Sequence, residues 1–289
     1  MSVSFRDWPV NKQFMRRLVK PETWFLQGVT MDNAQSQPHV IEGDDKVLIM
    51  DTTDLDLDLR AYVEENFPGK EICVACTHSH GDHTLNNSQF ADCTIYMTEI
   101  AWEEIQASAA NPRPGSKWEW KLNYTPTIIK DGDIIDLGNR QLECIKFAGC
   151  HSASSIVYLD LKYGCLFTGD EFEGGQVLIM GQRGNNCIEL YRDNCVALRD
   201  RIAGRATVVC PPHNGSPIDI QILDNMIENC EQIMAGREGM EDIRSFTFGL
   251  NPHGYSIDRM TNEDVRRSEW KGTSIVYNKK RIFYKDCEE

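Results

Sequence analysis

Three features are missing from this sequence or scarce in it. No apolar run comes close to the ~18 residues that a membrane-spanning helix requires. The amino terminus lacks the basic stretch followed by an apolar one that is typical of secretory signals. Basic residues are scarce, because the formal net charge is −14 and the one run of three basic residues is Lys279-Lys280-Arg281. We therefore expect a cytoplasmic protein that binds neither membranes nor nucleic acid.

Disulfides are also not expected, although the chain contains 11 cysteines. An odd count in a chain without an export signal favours free thiols. Cys73 and Cys76 have the spacing of a zinc or redox pair, but three residues apart on a strand they point to opposite faces. Five cysteines lie in apolar, strand-like runs, where a thiol acts as a small hydrophobic side chain. These are Cys73, Cys76, Cys144, Cys165 and Cys210.

The apolar pattern predicts layers of strands and helices. With 289 residues, 41% of them hydrophobic, the chain can bury a sizeable core. A helix is expected over residues 55–67, a strand over residues 71–77 and a further helix over residues 188–202. Turn residues predict one hairpin around residues 43–45 and a closing hairpin over residues 273–284. Strand-helix-strand units of this kind build layered α/β domains.

The densest group of polar side chains is His78-Ser79-His80-Gly81-Asp82-His83. Three imidazoles and a carboxylate fall within six residues, directly after the strand-like run 72–76. His78 and His80 alternate, so they point the same way on an extended segment, while Asp82 and His83 follow where the chain turns into a helix. Neutral imidazole and carboxylate are preferred ligands of zinc and similar divalent ions. The pattern predicts a metal site in which one loop serves two ions.

This stretch resembles the HxHxDH signature of the metallo-β-lactamase-fold hydrolases, and three more of the family's motifs follow in order. Residues 149–155, GCHSASS, are similar to its glycine-histidine-turn-serine motif. Residues 167–170, FTGD, match its TGD motif, and residues 211–215, PPHNG, resemble its final histidine loop. The four motifs are spread over about half of the chain.

The resemblance implies an α+β fold. In this family the fold is a four-layer αβ/βα sandwich, in which two facing mixed β-sheets are flanked by helices. We expect a single domain over residues 1–289. Variable segments that cover the substrate are expected around residues 111–124, 173–186 and 244–272.

The resemblance also implies seven ligands for two divalent metal ions. Three ligands would hold the first ion, three the second, and one would bridge both. In that order they are His78, His80 and His151, then Asp82, His83 and His213, and finally Asp170. Zinc fits this histidine-rich set, and manganese or iron is compatible with the ligand types. Asp82 would mainly position the second ion and would move protons as a secondary catalytic role.

The implied activity is that of a metal-dependent hydrolase acting on a small molecule. A hydroxide shared by the two ions would attack an ester, a lactone, a thioester or an amide. The alternatives are a mononuclear iron-dependent oxidoreductase similar to the persulfide dioxygenases, a phosphodiesterase, and a metal-stabilised binding protein without catalytic activity. A complete second set of ligands weighs against the mononuclear enzyme. The sequence leaves the substrate and the oligomeric state open.

Three residues near these motifs have other interpretations. His39 lies outside every motif, and we expect it to be a hydrogen-bonded structural histidine. His253 lies in a carboxy-terminal segment that can reach the metal cleft, where it is a weak candidate for an additional ligand. Cys150 precedes His151 and is a weak candidate for tuning the site or for oxidative sensitivity.

Overall fold

The computed structural model describes residues 8–29, 35–112, 119–147, 149–179, 186–241 and 262–287. The strands of these ranges form three sheets, and both strands and helices are numbered here in chain order. The first sheet consists, in spatial order, of β1 (Phe14–Lys20), β2 (Thr23–Gly28), β3 (His39–Glu42), β4 (Lys46–Met50), β5 (Glu71–Ala75), β6 (Thr94–Met97) and β7 (Thr127–Ile128).

The second and third sheets are built from the later part of the chain. The second contains β8 (Ile134–Asp136), β9 (Gln141–Lys146), β10 (Ile156–Asp160), β11 (Cys165–Phe167), β13 (Val208–Cys210) and β14 (Ile218–Asp219), in the spatial order β14-β13-β11-β10-β9-β8. The third contains β12 (Val177–Ile179), β15 (Met240–Glu241), β16 (Val265–Trp270) and β17 (Thr273–Asn278), in the spatial order β12-β17-β16-β15.

Five α-helices lie within the described residues. They are α1 (Leu59–Asn66), α2 (Gly81–Thr84), α3 (Glu99–Ala110), α4 (Ile188–Ile202) and α5 (Ile222–Met234). The side chain of Asp58 caps α1 by accepting from the N–H of Ala61 at 3.0 Å, as its position before the helix predicts. Within the described ranges, no helix has both the length and the apolar content that crossing a membrane demands.

Three clusters of buried apolar side chains show how the layers are stacked. Side chains along strand β4 alternate between its two faces. Val47 and Ile49 pack with α1 and α3, whereas Leu48 and Met50 pack against the second sheet. The second sheet packs its other face against α4 and α5. Both of these sheets are mixed, since each contains parallel and antiparallel neighbours. The expected four-layer αβ/βα sandwich is confirmed.

The cysteines follow the predicted pattern. All 11 are free. Cys73 packs between the first and second sheets, whereas Cys76 packs on the helix-covered face of the first sheet. The two thiols therefore lie on opposite faces, which excludes a paired zinc or redox role for them.

The third sheet is an addition to the two sheets expected from the sequence. The predicted closing hairpin is wrong in its pairing: β17 pairs with β16, which precedes it, and residues 281–284 form no strand. The turn between the two strands is Lys271-Gly272, where both residues have positive φ angles of 45° and 80°, as two-residue hairpin turns require. Segment 173–186, expected to be loop-like, contributes β12, which pairs in parallel with β17.

A buried ion pair lies within the second sheet, and its arginine also binds the first sheet. The guanidinium of Arg140 donates to both carboxylate oxygens of Asp160, at 3.3 and 2.7 Å. Its remaining bonds go to the carbonyl oxygens of Glu22 and Glu42, at 2.7 and 3.0 Å, and to the hydroxyl of Thr23 at 2.6 Å. The Arg140 and Asp160 side chains are both 0% exposed. Every N–H of the guanidinium is therefore satisfied in a site that excludes water.

His39 is a structural histidine of the same interior. Its Nε2 atom lies 2.7 Å from the hydroxyl oxygen of Ser216. Its ring lies against the rings of Phe25 and Phe167, at centroid distances of 5.1 and 5.3 Å. Burial, with a smaller contribution from the charge of Arg17, lowers the pKa of His39 to about 3. The expectation of a hydrogen-bonded structural role is confirmed.

Replacing Arg140 by methionine should lower the free energy of unfolding by about 3–5 kcal/mol, because the Asp160 carboxylate would stay buried without its partner. Urea denaturation measures the effect. The double variant R140M/D160N should recover part of the loss, and the exposed control R199M should change stability by less than about 0.5 kcal/mol. A loss for R140M no larger than that of R199M would contradict the role of the pair.

The stability of the wild type should fall faster on acidification than that of His39→Asn. The folded pKa of His39 is lower than the unfolded value of about 6.5, so below that pH only the unfolded state takes up the proton. The wild type should therefore lose about 1.4 kcal/mol per pH unit below pH 6 relative to the variant. Denaturation curves between pH 7.5 and 5 test this, and parallel pH profiles would refute it.

Candidate metal centre

Four loops supply the candidate site, and each follows the end of a strand. The first cluster follows β5, and the loop of His151 follows β9. Asp170 follows β11, and His213 follows β13. Strands β11 and β13 are parallel, and β9 runs in the same direction because both β9 and β11 are antiparallel to β10. Three of the loops therefore emerge at one edge of the second sheet, and the loop after β5 of the first sheet meets them there.

The seven side chains singled out from the sequence come together in two groups that share Asp170. Within each group, one potential ligand atom of every residue lies within 4.8 Å of the others. The first group is His78, His80, His151 and Asp170, and the second is Asp82, His83, Asp170 and His213. This division is the one that the resemblance implies.

The two carboxylate oxygens of Asp170 face different groups. Oδ2 lies 3.4 Å from Nε2 of His151 and 3.9 Å from Nε2 of His78. Oδ1 lies 3.2 Å from Nε2 of His83 and 3.3 Å from Nε2 of His213. Within the first group, Nδ1 of His80 lies 3.2 Å from Nε2 of His151. A single carboxylate therefore stands between two clusters of nitrogen atoms.

Asp82 completes the second group. Its Oδ2 atom lies 3.4 Å from Nε2 of His213 and 3.5 Å from Nε2 of His83. Nε2 of His83 and Nε2 of His213 are 3.3 Å apart. The side chain of Asp82 is 28% exposed, whereas that of His83 is fully buried. Asp82 is therefore the member of this group that solvent reaches most easily.

The donor atoms fit divalent metal ions. Nε2 of His78 and Oδ1 of Asp170 are buried and have no hydrogen-bond partner, although other ligand atoms surround them. Leaving such an atom unsatisfied costs about 1–3 kcal/mol. A cation between the converging atoms would satisfy their lone pairs, and imidazole with carboxylate suits zinc and its neighbours in the transition series.

Asp51 orients His83 and was not assigned a role from the sequence. Its Oδ2 atom lies 2.9 Å from Nδ1 of His83, which leaves Nε2 to face the second group. Asp51 itself accepts from the N–H and the hydroxyl of Thr77, both at 2.8 Å. The sequence contained a signal for this role of Asp51. Asp51 directly follows β4, which runs parallel to β5 and so ends at the same edge of the first sheet.

His151 is held from two sides. Its Nδ1 atom lies 3.2 Å from the carbonyl oxygen of Leu178 on β12, so the ring presents Nε2 to the first group. Its backbone N–H donates to Oε2 of Glu171 at 3.2 Å. Burial raises the pKa of Glu171 to about 8. The third sheet therefore contributes directly to the position of a candidate ligand.

The electrostatics of the two groups differ. Burial holds the pKa of His78 well below its usual value and lowers that of His151 to about 4, so both rings are neutral, which is the form that binds metal. In the second group, burial lowers the pKa of His213, but Asp170 and Asp82 outweigh it and raise the value to about 9. Metal binding to the second group must therefore displace protons.

Of the two weaker candidates, Cys150 does not join either group. Cys150 is buried, its sulfur accepts from the side-chain amide of Asn194 at 3.1 Å, and burial raises its pKa well above the usual range for a thiol. A protonated, buried thiol is inert, so the oxidative role is not supported. His253 lies outside the described residues.

A cleft of about 820 Å³ opens onto the second group. Asp82, Asp170 and His213 line one part of it, and residues 173–178 and 267–274 contribute most of the remaining lining. None of the described residues of segment 111–124 lines this cleft; Trp120 packs instead against the core around α1 and α3. Two of the three expected variable segments therefore border the cleft.

Comparison with known proteins identifies relatives that match only part of this sequence. No family model matches the chain. The acyl-coenzyme A thioesterase MBLAC2 of Gallus gallus is 27% identical over 126 residues, which are 38% of this chain and 44% of that protein. The protein of the same name from Homo sapiens is 28% identical over 134 residues, 40% of this chain and 46% of that protein. The chain thus spans less than half the length of these curated relatives.

Solved structures match a larger share of the chain. A metallo-β-lactamase from Pontibacter korlensis superposes with a TM-score of 0.57 at 16% identity, covering 75% of this chain and 98% of that one. The DIM-1 metallo-β-lactamase gives a TM-score of 0.60 at 19% identity, covering 76% of this chain and 98% of that one. At such low identity the likeness shows the fold alone. Together with the four layers and the four converging loops of the two facing sheets, it establishes that this chain has the metallo-β-lactamase fold.

Proposed function

We propose that this protein is a dinuclear metal-dependent hydrolase whose substrates are thioesters of small molecules. The observation that carries the proposal is the pair of ligand groups sharing Asp170, with one carboxylate oxygen directed at each. The MBLAC2 relatives, named as acyl-coenzyme A thioesterases, favour thioesters among the ester, lactone, thioester and amide substrates that such a centre can cleave.

The roles of the side chains follow from their placement. His78, His80 and His151 would hold the first ion, while His83 and His213 would hold the second together with Asp82. Asp170 would ligate both. Two divalent ions bound side by side supply an activated water at neutral pH and polarise the carbonyl that is attacked. Zinc is the expected metal, with manganese or iron as alternatives.

Asp82 would move a proton during the reaction. Its carboxylate lines the cleft beside His213 and is partly exposed, so it can exchange protons with bulk water. His213 and Glu173 line the cleft together with Asp82. No serine or cysteine nucleophile is needed, and Cys150 is buried and protonated.

The alternatives receive less support. A mononuclear iron-dependent oxidoreductase would need only one ligand group, and the second is complete. A phosphodiesterase acting on nucleic acid is disfavoured by the net charge of −14.

The proposal also includes the location of the protein, which we expect to be the cytoplasm.

The purified protein should bind two metal ions per chain. His151→Ala and His213→Ala should each retain about one, because each removes a ligand from a different group, and Asp170→Ala should retain fewer than either. Elemental analysis after dialysis measures the stoichiometry, with His39→Asn as a histidine control that keeps both ions. A wild type with one ion at saturation, or equal losses in H39N and H213A, would contradict the dinuclear centre.

Hexanoyl thioesters should be cleaved by zinc- or manganese-loaded protein faster than hexanoyl esters, amides, lactones, β-lactams or phosphodiesters. Chelation should abolish turnover, and Asp82→Asn should lower kcat by at least about 10²-fold because both its ligation and its proton transfer are lost. Thiol release measured with a chromogenic reagent reports the rate. Oxygen consumption by a protein holding a single iron would instead establish the oxidoreductase.

A further inference from the structure

The carboxy-terminal part of the chain reverses the sign of the overall charge. Within it, the stretch from the start of β16 to the end of β17, residues 265–278, contains three basic residues and one acidic residue, a net charge of +2, in a chain whose net charge is −14. This segment forms β16 and β17 of the third sheet. A local excess of positive charge in an acidic protein can attract an anionic ligand that the rest of the surface repels.

The hairpin of β16 and β17 borders the cleft of the candidate metal centre. Arg267, Trp270 and Lys271 line the cleft, and so does Ser274, whose buried hydroxyl oxygen has no hydrogen-bond partner. The same cleft is lined elsewhere by Asp82, Asp170 and Glu173, and Glu269 of the hairpin also lines it. One cleft therefore combines a carboxylate-rich catalytic part with a wall that carries cations.

The cations of this wall can orient a substrate. The bond to be cleaved must lie at the candidate ligands, so the remainder of the substrate occupies the space between them and the hairpin. An anionic group on that remainder is attracted by Arg267 and Lys271. The favoured substrate carries its thioester and its negative charge at separate ends.

The two cations are available for exchange with a ligand. Arg267 pairs with Glu269 at 3.3 Å, with side chains 30% and 53% exposed. Lys271 pairs with Glu228 at 2.7 Å, with side chains 53% and 40% exposed. Ion pairs at this exposure contribute little to stability because solvent screens them. A doubly charged phosphate competes effectively with a single carboxylate for such partners.

The tip of the hairpin is held in place by neighbouring side chains. Trp270 donates from its indole nitrogen to Oε2 of Glu228 on α5 at 3.0 Å. The guanidinium of Arg237 lies 4.9 Å from the centroid of the same indole. The Lys271-Gly272 turn has the two positive φ angles of a tight hairpin. The positions of the cations are therefore set by a turn anchored to a helix.

We propose that the β16–β17 hairpin binds the phosphate groups of a phosphate-bearing thiol carrier, with Arg267 and Lys271 as the contacting cations. The inference rests on the proposed thioesterase function and names the substrate class: acyl thioesters of a phosphorylated carrier such as coenzyme A. The planar guanidinium of Arg267 suits a phosphate because it can donate two parallel hydrogen bonds.

The test compares three hexanoyl thioesters that differ in the thiol: coenzyme A with phosphates, glutathione with carboxylates only, and N-acetylcysteamine with neither. Arg267→Gln and Lys271→Gln should each raise KM for hexanoyl-coenzyme A by about 3- to 10-fold. KM for the N-acetylcysteamine thioester should stay unchanged, which also shows that the centre is intact. Lys279→Gln replaces an exposed lysine that directly follows β17 and lies outside the cleft lining. It removes the same charge as a control and should behave as the wild type.

A binding measurement separates this proposal from the proposed activity. Desulfo-coenzyme A, which lacks the thiol, should bind the metal-loaded wild type, bind R267Q and K271Q about 3- to 10-fold more weakly, and lose affinity as salt is raised. This result supports the hairpin site even if no thioester is cleaved. Equal affinity in wild type and variants, or equal rises in KM for the coenzyme A and glutathione thioesters, would overturn the assignment to phosphate.

Discussion

The structure depends on one carboxylate, Asp170, placed between two clusters of imidazole nitrogens. Its two oxygens lie 3.2–3.4 Å from nitrogens of different groups, and one of them has no hydrogen-bond partner. Without a cation the protein would bury polar atoms at a cost, and two cations would remove that cost for both groups. The fold supplies this arrangement because three strands of the second sheet and β5 of the first direct their loops to one place.

The supporting contacts come from the first and the third sheets. Asp51, at the end of a strand of the first sheet, fixes the ring of His83, and the carbonyl oxygen of Leu178 in the third sheet fixes that of His151. The third sheet also provides the cationic wall of the cleft. The same added element therefore contacts a candidate ligand and lines the cleft.

The sequence predicted the parts that local patterns encode. The alternation of His78 and His80 and the spacing of Asp82 are visible in one loop, and the apolar runs gave the helix of residues 188–202 with its observed ends. The third sheet was missed because β12 and β17 are distant in sequence, and parallel pairing leaves no local signature. The contact of His151 with Leu178 was also hidden, since it uses a backbone oxygen that no side-chain pattern reports.

Anomalous X-ray diffraction from crystals of the zinc-loaded protein, recorded above and below the zinc absorption edge, tests the central claim most directly. The account predicts two anomalous peaks, one within bonding distance of each oxygen of Asp170, with three further ligands around each peak as the two groups define them. A single peak, or peaks remote from Asp170, would contradict it.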